Sequence, residues 1–317
     1  TGPTISGTLY FWNHYGGNSH AAQNYQGGYA TYNFSGEVAA ASKGSILENN
    51  INMIAPEKPG QYIPVGQGFF VIGKNGGTIN FNNGQRIYKQ EEGSNSVFMR
   101  GMVDNFSKSA DNRMKFRIGY SSTNTINRQL LLTIDSNTTS DIDWAYDGEL
   151  NETQIDDMFW LINDEEFVIQ ASNNAEISAV YPLGVKISSD GLNTINIDDL
   201  ENVPDNFNIY LHDKVLNLYH DLRQSDYSVF LNTGEYLNRF EVTFGSDELL
   251  GIDDHSNQSI DILYSSDINQ LVLINPNQID VTSIVLFNML GQSVTTYNTI
   301  IRSSHSEYDV NLSAGTY

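Results

Sequence analysis

The amino-acid sequence predicts an all-β protein, with a large antiparallel β-sandwich or jelly-roll-like domain followed by a small Ig-like β-sandwich. Short runs rich in β-branched and aromatic residues recur along the chain, and Gly, Asn, Ser and Asp separate them every few residues. The apolar spacing that marks an amphipathic helix is hard to sustain anywhere. Many short strands joined by turns are typical of a sandwich or barrel.

The larger part of the chain contains most of the predicted strands. Two turn sequences, Asn75-Gly76-Gly77 and Thr233-Gly234, contain residues that tolerate a positive φ, so each predicts a hairpin between its flanking strands. The runs predicted as strands in this part are 7–12, 29–34, 68–72, 78–81, 115–120, 129–134, 166–170, 207–211, 227–231 and 239–244.

A change of composition divides the chain. Over residues 246–259 the β alternation is lost and turn-forming residues accumulate. We therefore predict a β-sandwich passenger or stalk region over residues 1–250, a linker at 251–259 and a C-terminal domain at 260–317. The C-terminal domain has predicted strands at 270–274, 283–288, 293–298 and 308–312.

Charge and cysteine content narrow the classes of partner and site. The 317 residues include 16 basic and 38 acidic side chains, a formal net charge of −22, which repels nucleic-acid phosphate and anionic lipid. We therefore expect no nucleic-acid partner. The absence of cysteine excludes disulfides, thiolate zinc sites and cysteine nucleophiles.

One acidic segment is a candidate metal site. Asp141, Asp143 and Asp147, with Gly148 after them, place carboxylates at spacings similar to those of a calcium loop. The segment lacks the bidentate Glu that an EF-hand requires, so a solvated acidic loop is the alternative interpretation. We predict no other cofactor.

Aromatic residues near the start of the chain are a candidate ligand site. Trp12 and Tyr15 belong to an aromatic stretch interleaved with Gly and Asn, an arrangement in which rings can stack on the apolar faces of sugars. Packing of alternate rings in a core explains the same pattern. Glycans are therefore one possible class of partner.

Catalytic signatures are absent from the sequence. The six histidines have no metalloprotease spacing, and no serine stands in a Gly-x-Ser-x-Gly context. Adjacent acidic residues on a strand point to opposite faces, so they cannot act together across a cleft as glycosidase carboxylates do. We expect no catalytic residues and predict that the protein is not an enzyme.

The C-terminal domain carries the most specific motifs. Residues 284–294 read Ile-Val-Leu-Phe-Asn-Met-Leu-Gly-Gln-Ser-Val, and residues 310–317 read Val-Asn-Leu-Ser-Ala-Gly-Thr-Tyr. In this order and spacing they resemble the type A C-terminal sorting domain of proteins exported by the type IX secretion system of Bacteroidetes. The residues that match the two motifs are Asn288, Met289, Leu290, Gly291 and Gln292, then Gly315 and Tyr317.

This resemblance implies a secreted or cell-surface protein, exported across the outer membrane, whose partners are an outer-membrane shuttle and translocon proteins. The region upstream resembles, more loosely, a β-rich region of large flavobacterial surface proteins, which implies a non-enzymatic, adhesin-like passenger. Members of the sorting family continue beyond the Gly-Thr-Tyr element, so we expect the domain to be truncated at Tyr317. The alternative is a carbohydrate-binding module that targets an upstream enzyme to polysaccharide.

Overall fold

The protein is all-β, as its sequence predicts. The computed structural model describes residues 3–14, 27–43, 58–88, 111–245, 260–265, 270–275, 278–287 and 292–310. Across these ranges there are 21 strands, one 3-10 turn at Asn83–Gln85 and no α-helix. The strands form a four-stranded sheet, a twelve-stranded sheet and two small C-terminal sheets.

The four-stranded sheet contains the start of the chain and has the order β3-β2-β1-β5, with antiparallel pairing throughout. Its inner face packs Phe11 against Ala30 and Ala40. Gly7 has a φ of +84°, and a Cβ built there would lie 2.4 Å from the Cβ of Ala145, so a side chain has no room at this position. The strands are β1 (Ile5–His14), β2 (Gly27–Asn33), β3 (Gly36–Val38) and β5 (Phe70–Gly73).

The twelve-stranded sheet is nearly closed into a barrel and has the order β14-β13-β16-β11-β9-β10-β7-β6-β12-β15, with β4 beside β7 and β8 beside β10. It is a mixed sheet, because β7 and β10 run parallel while its other pairs are antiparallel. Its strands are β4 (Ser42–Lys43), β6 (Lys115–Ser121), β7 (Ile126–Ile134), β8 (Gly148–Glu149), β9 (Asp157–Ile162), β10 (Glu165–Ser172), β11 (Val180–Ile187), β12 (Gly191–Glu201), β13 (Tyr210–Asp213), β14 (Leu218–Asp221), β15 (Tyr227–Leu231) and β16 (Gly234–Thr243).

The interior of the large sheet is a single apolar core that also contains a buried ion pair. The fully buried indole of Trp160 donates a hydrogen bond from Nε1 to the carbonyl oxygen of Leu131 at 3.1 Å, so its polar atom is satisfied inside the core. Arg128 meets Asp157 as a two-point fork, with Nε–Oδ1 at 2.7 Å and Nη2–Oδ2 at 2.8 Å. Their side chains are 1% and 0% exposed, so each charge depends on the other for solvation.

Arg117 on β6 joins the two larger sheets. Its guanidinium, 1% exposed, lies 2.7 Å from the carboxylate of Glu37 on β3 and 2.8 Å from that of Glu201 on β12. It also donates a hydrogen bond to the carbonyl oxygen of Glu37 at 2.6 Å. One buried cation therefore links β3 of the four-stranded sheet to β6 and β12 of the large one.

The C-terminal unit, which we define as β17 to β21, has a three-stranded sheet of order β17-β18-β21 and the pair β19–β20. Both are antiparallel. They share a small core around Leu271, Leu273 and Ile284. The strands are β17 (Asp261–Ser265), β18 (Gln270–Ile274), β19 (Ile284–Phe287), β20 (Ser293–Tyr297) and β21 (His305–Asp309).

Three local predictions about the larger part of the chain are wrong. Residues 78–81 form no strand, and β5 pairs with β1 instead of forming a hairpin through Asn75-Gly76-Gly77. The Thr233-Gly234 turn is not a hairpin either, because β15 pairs with β12 while β16 pairs with β11 and β13. Asp190 accepts hydrogen bonds from the backbone amide and hydroxyl of Thr233, which holds the chain where it crosses between distant strands.

The Arg128–Asp157 pair gives a test of the core. We expect Asp157→Ala to lower the free energy of unfolding by about 3–5 kcal/mol, because the buried arginine loses its two-point partner and the Glu152 carboxylate lies 4.0 Å away. The double variant Arg128→Met/Asp157→Leu removes both charges and should cost clearly less. Urea unfolding followed by tryptophan fluorescence measures both, and an equal loss in the two variants would contradict the prediction.

Candidate functional site

A partly exposed row of aromatic rings crosses one face of the four-stranded sheet. Trp12 on β1 lies opposite Tyr29 on β2, and Tyr10, two residues before Trp12 and on the same face, lies opposite Phe70 on β5. The ring centroids of Trp12 and Tyr29 are 5.2 Å apart, and those of Tyr29 and Phe70 are 5.5 Å apart. Trp12 is 38% exposed and Phe70 56% exposed, whereas Tyr29 is half-buried and Tyr10 is fully buried, with its hydroxyl bonded to the carbonyl oxygen of Glu149. We call Trp12, Tyr29 and Phe70 the aromatic row, of which the first and last members face solvent.

A carboxylate lies beside the aromatic row. Both oxygens of Glu152 accept the backbone N–H of Tyr29 at 3.1 Å, and one lies 4.0 Å from the guanidinium of Arg128. Burial raises the pKa of Glu152, against the opposing effects of Arg128 and of the Tyr29 amide. Gly28 lies close to this carboxylate, since an added Cβ would lie 2.9 Å from Glu152 Oε1 and the glutamate would have to shift. Rings next to a polar acceptor can contact both the C–H faces and the hydroxyls of a sugar.

Only one of the two residues predicted for the aromatic site, Trp12, lies among the described residues. Trp12 lies in the aromatic row, whereas Tyr15 lies outside the described residues. Sequence reasoning missed Phe70, because its position beside Tyr29 depends on the pairing of β1 with β5. Alternation along β1 sends Phe11 to the opposite face, where it is 2% exposed and packs near Phe69.

The acidic segment forms a turn in which the carboxylates accept backbone hydrogen bonds. Asp143 Oδ2 accepts the N–H of Thr139 at 2.5 Å. Asp147 accepts the N–H of Asp143 at 2.6 Å through Oδ2 and the N–H of Ala171 at 2.7 Å through Oδ1. Asp147 thus ties the turn to β10.

Calcium binding at Asp141, Asp143 and Asp147 stays a prediction. Asp141 is exposed, Asp143 is half-buried and Asp147 is buried, and among the described residues no three acidic or histidine side chains converge as a metal site would require. Burial raises the pKa of Asp147 from 3.8 to about 7. The two backbone N–H groups lower this pKa because they favour the ionised carboxylate, but their effect is smaller than that of burial.

The sorting motif falls between two paired strands. β19 and β20 form an antiparallel pair in which Ile284 lies opposite Tyr297 and Phe287 lies opposite Ser293. Gln292 is exposed at the start of β20, while Asn288, Met289, Leu290, Gly291, Gly315 and Tyr317 lie outside the described residues. The side chains of Val285, Phe287 and Val294 beside the motif are 37%, 50% and 39% exposed.

An open cleft of about 710 Å³ lies at the β14 end of the large sheet. Glu241 on its wall is 2.8 Å from Nδ1 of His212 and 3.0 Å from Nζ of Lys214. The His212 ring also stacks on Tyr219 with centroids 4.0 Å apart. The sequence does not predict the cleft, because residues of three separate strands line it. The lining residues include Glu176, Ile177, Val180, Tyr219, Glu241 and Thr243.

Comparison with known proteins identifies the family. Residues 2–244 match the model of a family described as a domain of unknown function, DUF8693. The chain belongs to this family. The DUF8693 domain therefore contains β1 to β16, with the aromatic row, the acidic turn and the cleft, and the C-terminal unit follows it.

Two further comparisons with known proteins found no match. No curated protein and no solved structure is similar enough to the chain to count as a match. Within the described ranges, no helix is long and apolar enough to cross a membrane.

The pKa of Asp147 predicts a pH dependence of stability. Between about pH 4 and pH 7 the unfolded chain has this carboxyl ionised while the folded chain keeps it protonated, so the free energy of unfolding should fall as pH rises through this window. The fall is at most about 1.4 kcal/mol per pH unit. Asp147→Asn cannot ionise and should lack this component.

Urea unfolding at pH 4, 5, 6 and 7 measures the effect as the difference between the unaltered chain and Asp147→Asn. Asp143→Asn, in the same turn, is the matched control and should not reproduce the slope. A difference that is constant over the four pH values would show that the two backbone N–H groups keep Asp147 ionised.

Proposed function

We propose that the chain is the C-terminal region of a secreted or cell-surface protein, and that residues 260–317 address it to the type IX secretion system. The observation that carries the proposal is the pair of motifs, residues 288–292 and residues 315–317, in the order and spacing of a type A sorting domain. The antiparallel pairing of β19 with β20 on either side of residues 288–292 supports it, since the family motif is a turn between two strands.

The surface around the hairpin suits recognition by another protein. Phe287, half exposed, is the last residue of β19, and Val294 is exposed near the start of β20. Exposed apolar side chains on two paired strands can be buried by a partner, which gives binding energy beyond backbone contacts. We assign this partner role to the outer-membrane shuttle and the translocon.

In this proposal the DUF8693 domain is the passenger, a non-enzymatic module of adhesin-like character. Its large apolar core and buried ion pairs support a rigid stalk, and the net charge of −22 favours a soluble surface that does not bind nucleic acid. The proposal assigns no catalytic residue to it.

Export can be tested in a bacterium that has a type IX system. We expect Gly291→Val to lower the exported fraction by about tenfold, because a β-branched residue disfavours the positive φ that the turn sequence predicts at this position. Immunoblots of medium and cell surface measure export. Gly76→Ala is the matched control, since an added Cβ at Gly76 meets no atom within 4 Å. Equal export of the unaltered chain from a strain without the translocon would refute the proposal.

A second candidate function is carbohydrate binding through the aromatic row, with the module directing an upstream enzyme to polysaccharide. The specific observation in its favour is that Trp12, Tyr29 and Phe70 line up across three strands beside the Glu152 carboxylate. Tyr10 on the same face is fully buried, whereas Trp12 and Phe70 are exposed and open to a ligand.

Glycan binding can be measured on an array and then by calorimetry. We expect Trp12→Ala to weaken binding by about tenfold, since the loss of one stacked ring removes on the order of 1–2 kcal/mol. Phe81→Ala is the matched control, because Phe81 is 71% exposed and contacts Phe69, which packs on the opposite face with Phe11. Binding that is equally weakened by both variants would argue against the aromatic row.

A further inference from the structure

The large sheet stops short of closure at β15, and side chains bridge the gap. β15 is the terminal strand in the sheet order, paired with β12 on one side. At its first residue the Tyr227 hydroxyl donates to Asp213 Oδ2 on β13 at 2.8 Å. Arg239 on β16 donates to the same carboxylate from Nε and Nη2 at 2.8–3.1 Å. We call Asp213, Tyr227 and Arg239 the seam.

The C-terminal unit covers the seam. Glu307 on β21 accepts a hydrogen bond from Arg239 Nη2 at 2.5 Å, and His305, fully buried, lies with its ring 5.7 Å from that of Tyr227. His305 Nε2 is 3.8 Å from the Glu307 carboxylate, a distance too long for a direct hydrogen bond. The Arg239 and Glu307 side chains are each 7% exposed. The junction is therefore buried and joined by a charged pair.

The cover also blocks the edge of β15. The backbone N–H of Ser228 donates to Ser304 Oγ at 3.0 Å, so this amide points away from β12. The same hydroxyl donates to the carbonyl oxygen of Asp226 at 3.3 Å. A side chain, and not another strand, thus satisfies the outward amide of the terminal strand.

The composition of β15 favours pairing with an identical strand from another copy of the chain. Its residues are Tyr-Ser-Val-Phe-Leu, with no charged side chain, no proline and high β propensity. Native proteins normally protect such an edge with a charge, a proline or a covering segment. Here the described protection comes from the C-terminal unit.

We propose that the C-terminal unit is a removable cover, held by the Glu307–Arg239 ion pair, and that its departure lets β15 pair with β15 of a second copy. Two identical strands related by a two-fold axis run antiparallel and can satisfy each other's outward amides. Although each chain carries a net charge of −22, charges further apart than about 8–10 Å are screened at physiological salt, and β15 itself is uncharged. The proposal does not depend on the export address.

The ion pair offers a way to displace the cover in the full chain. Arg239 and His305 hold the pKa of Glu307 below its ordinary value even though burial opposes this, so the residue is anionic at neutral pH. Glu307→Lys would place two cations at the buried junction, which favours separation. Phe230→Lys adds a charge to a partly buried position on β15 and should block pairing of the edge.

The first measurement is sedimentation velocity over a range of concentrations. We expect the unaltered chain to stay monomeric, Glu307→Lys to double its sedimenting mass as concentration rises, and Glu307→Lys/Phe230→Lys to stay monomeric. Glu307→Gln, which keeps the shape and loses the charge, should give an intermediate dimer fraction. If the double variant associates as much as Glu307→Lys, association uses another surface or a misfolded state, and the proposal is wrong.

The second measurement reports whether the cover is in place. Because the chain has no cysteine, the pair Ser228→Cys/Ser304→Cys can form only one disulfide within a chain. We expect this bond to form in the otherwise unaltered chain and not in the Glu307→Lys background. Failure to form in the unaltered background, retention in the Glu307→Lys background, or loss there without dimerisation would each overturn the proposal.

Discussion

The buried fork between Asp213 and Arg239 is the interaction on which the arrangement of the two parts of the protein depends. It lies where the large sheet has no further strand to continue its hydrogen bonding. Asp213 is fully buried, so its charge is tolerable only because the guanidinium and the Tyr227 hydroxyl both donate to it. The same Nη2 of Arg239 that donates to Asp213 also donates to Glu307 of the C-terminal unit. One arginine therefore contacts both the end of the large sheet and the unit that follows it.

A second buried arginine, Arg117, also joins two separate parts of the protein through its carboxylate partners. Arg117 binds Glu37 and Glu201 and so links the large sheet to the four-stranded sheet, one face of which carries the aromatic row. One face of that sheet packs Phe11 against Ala30 and Ala40. On the other face Tyr10 is buried against Glu149, and Trp12 and Phe70 stay exposed beside it.

Local pattern predicts strands well in this protein and strand partners poorly. Residues 227–231 and 270–274 are predicted as strands and have those bounds in β15 and β18. The Asn75–Gly77 and Thr233–Gly234 turns misled the prediction, because turn chemistry gives the local bend and tertiary contacts decide which strand lies alongside. The same limit applies to the aromatic row: Trp12 stands out in the sequence, but its neighbours come from β2 and β5. The seam could not be predicted, since its residues lie on β13, β15 and β16.

The Arg117 bridge has a consequence for how the chain reaches its native state. The Arg117 side chain contacts Glu37, which lies 80 positions before it, and Glu201, which lies 84 positions after it. The parallel pairing of β7 with β10 also joins strands that are distant in the sequence. Closure of such large loops costs chain entropy before any contact compensates it, which places folding in the range of about milliseconds to seconds. The N-terminal sheet also needs residues 133–149, because Tyr10 donates a hydrogen bond to the carbonyl oxygen of Glu149 and Thr133 donates one to that of Ser35. A chain still being made on the ribosome would therefore expose its aromatic strands until that part of the sequence has been added.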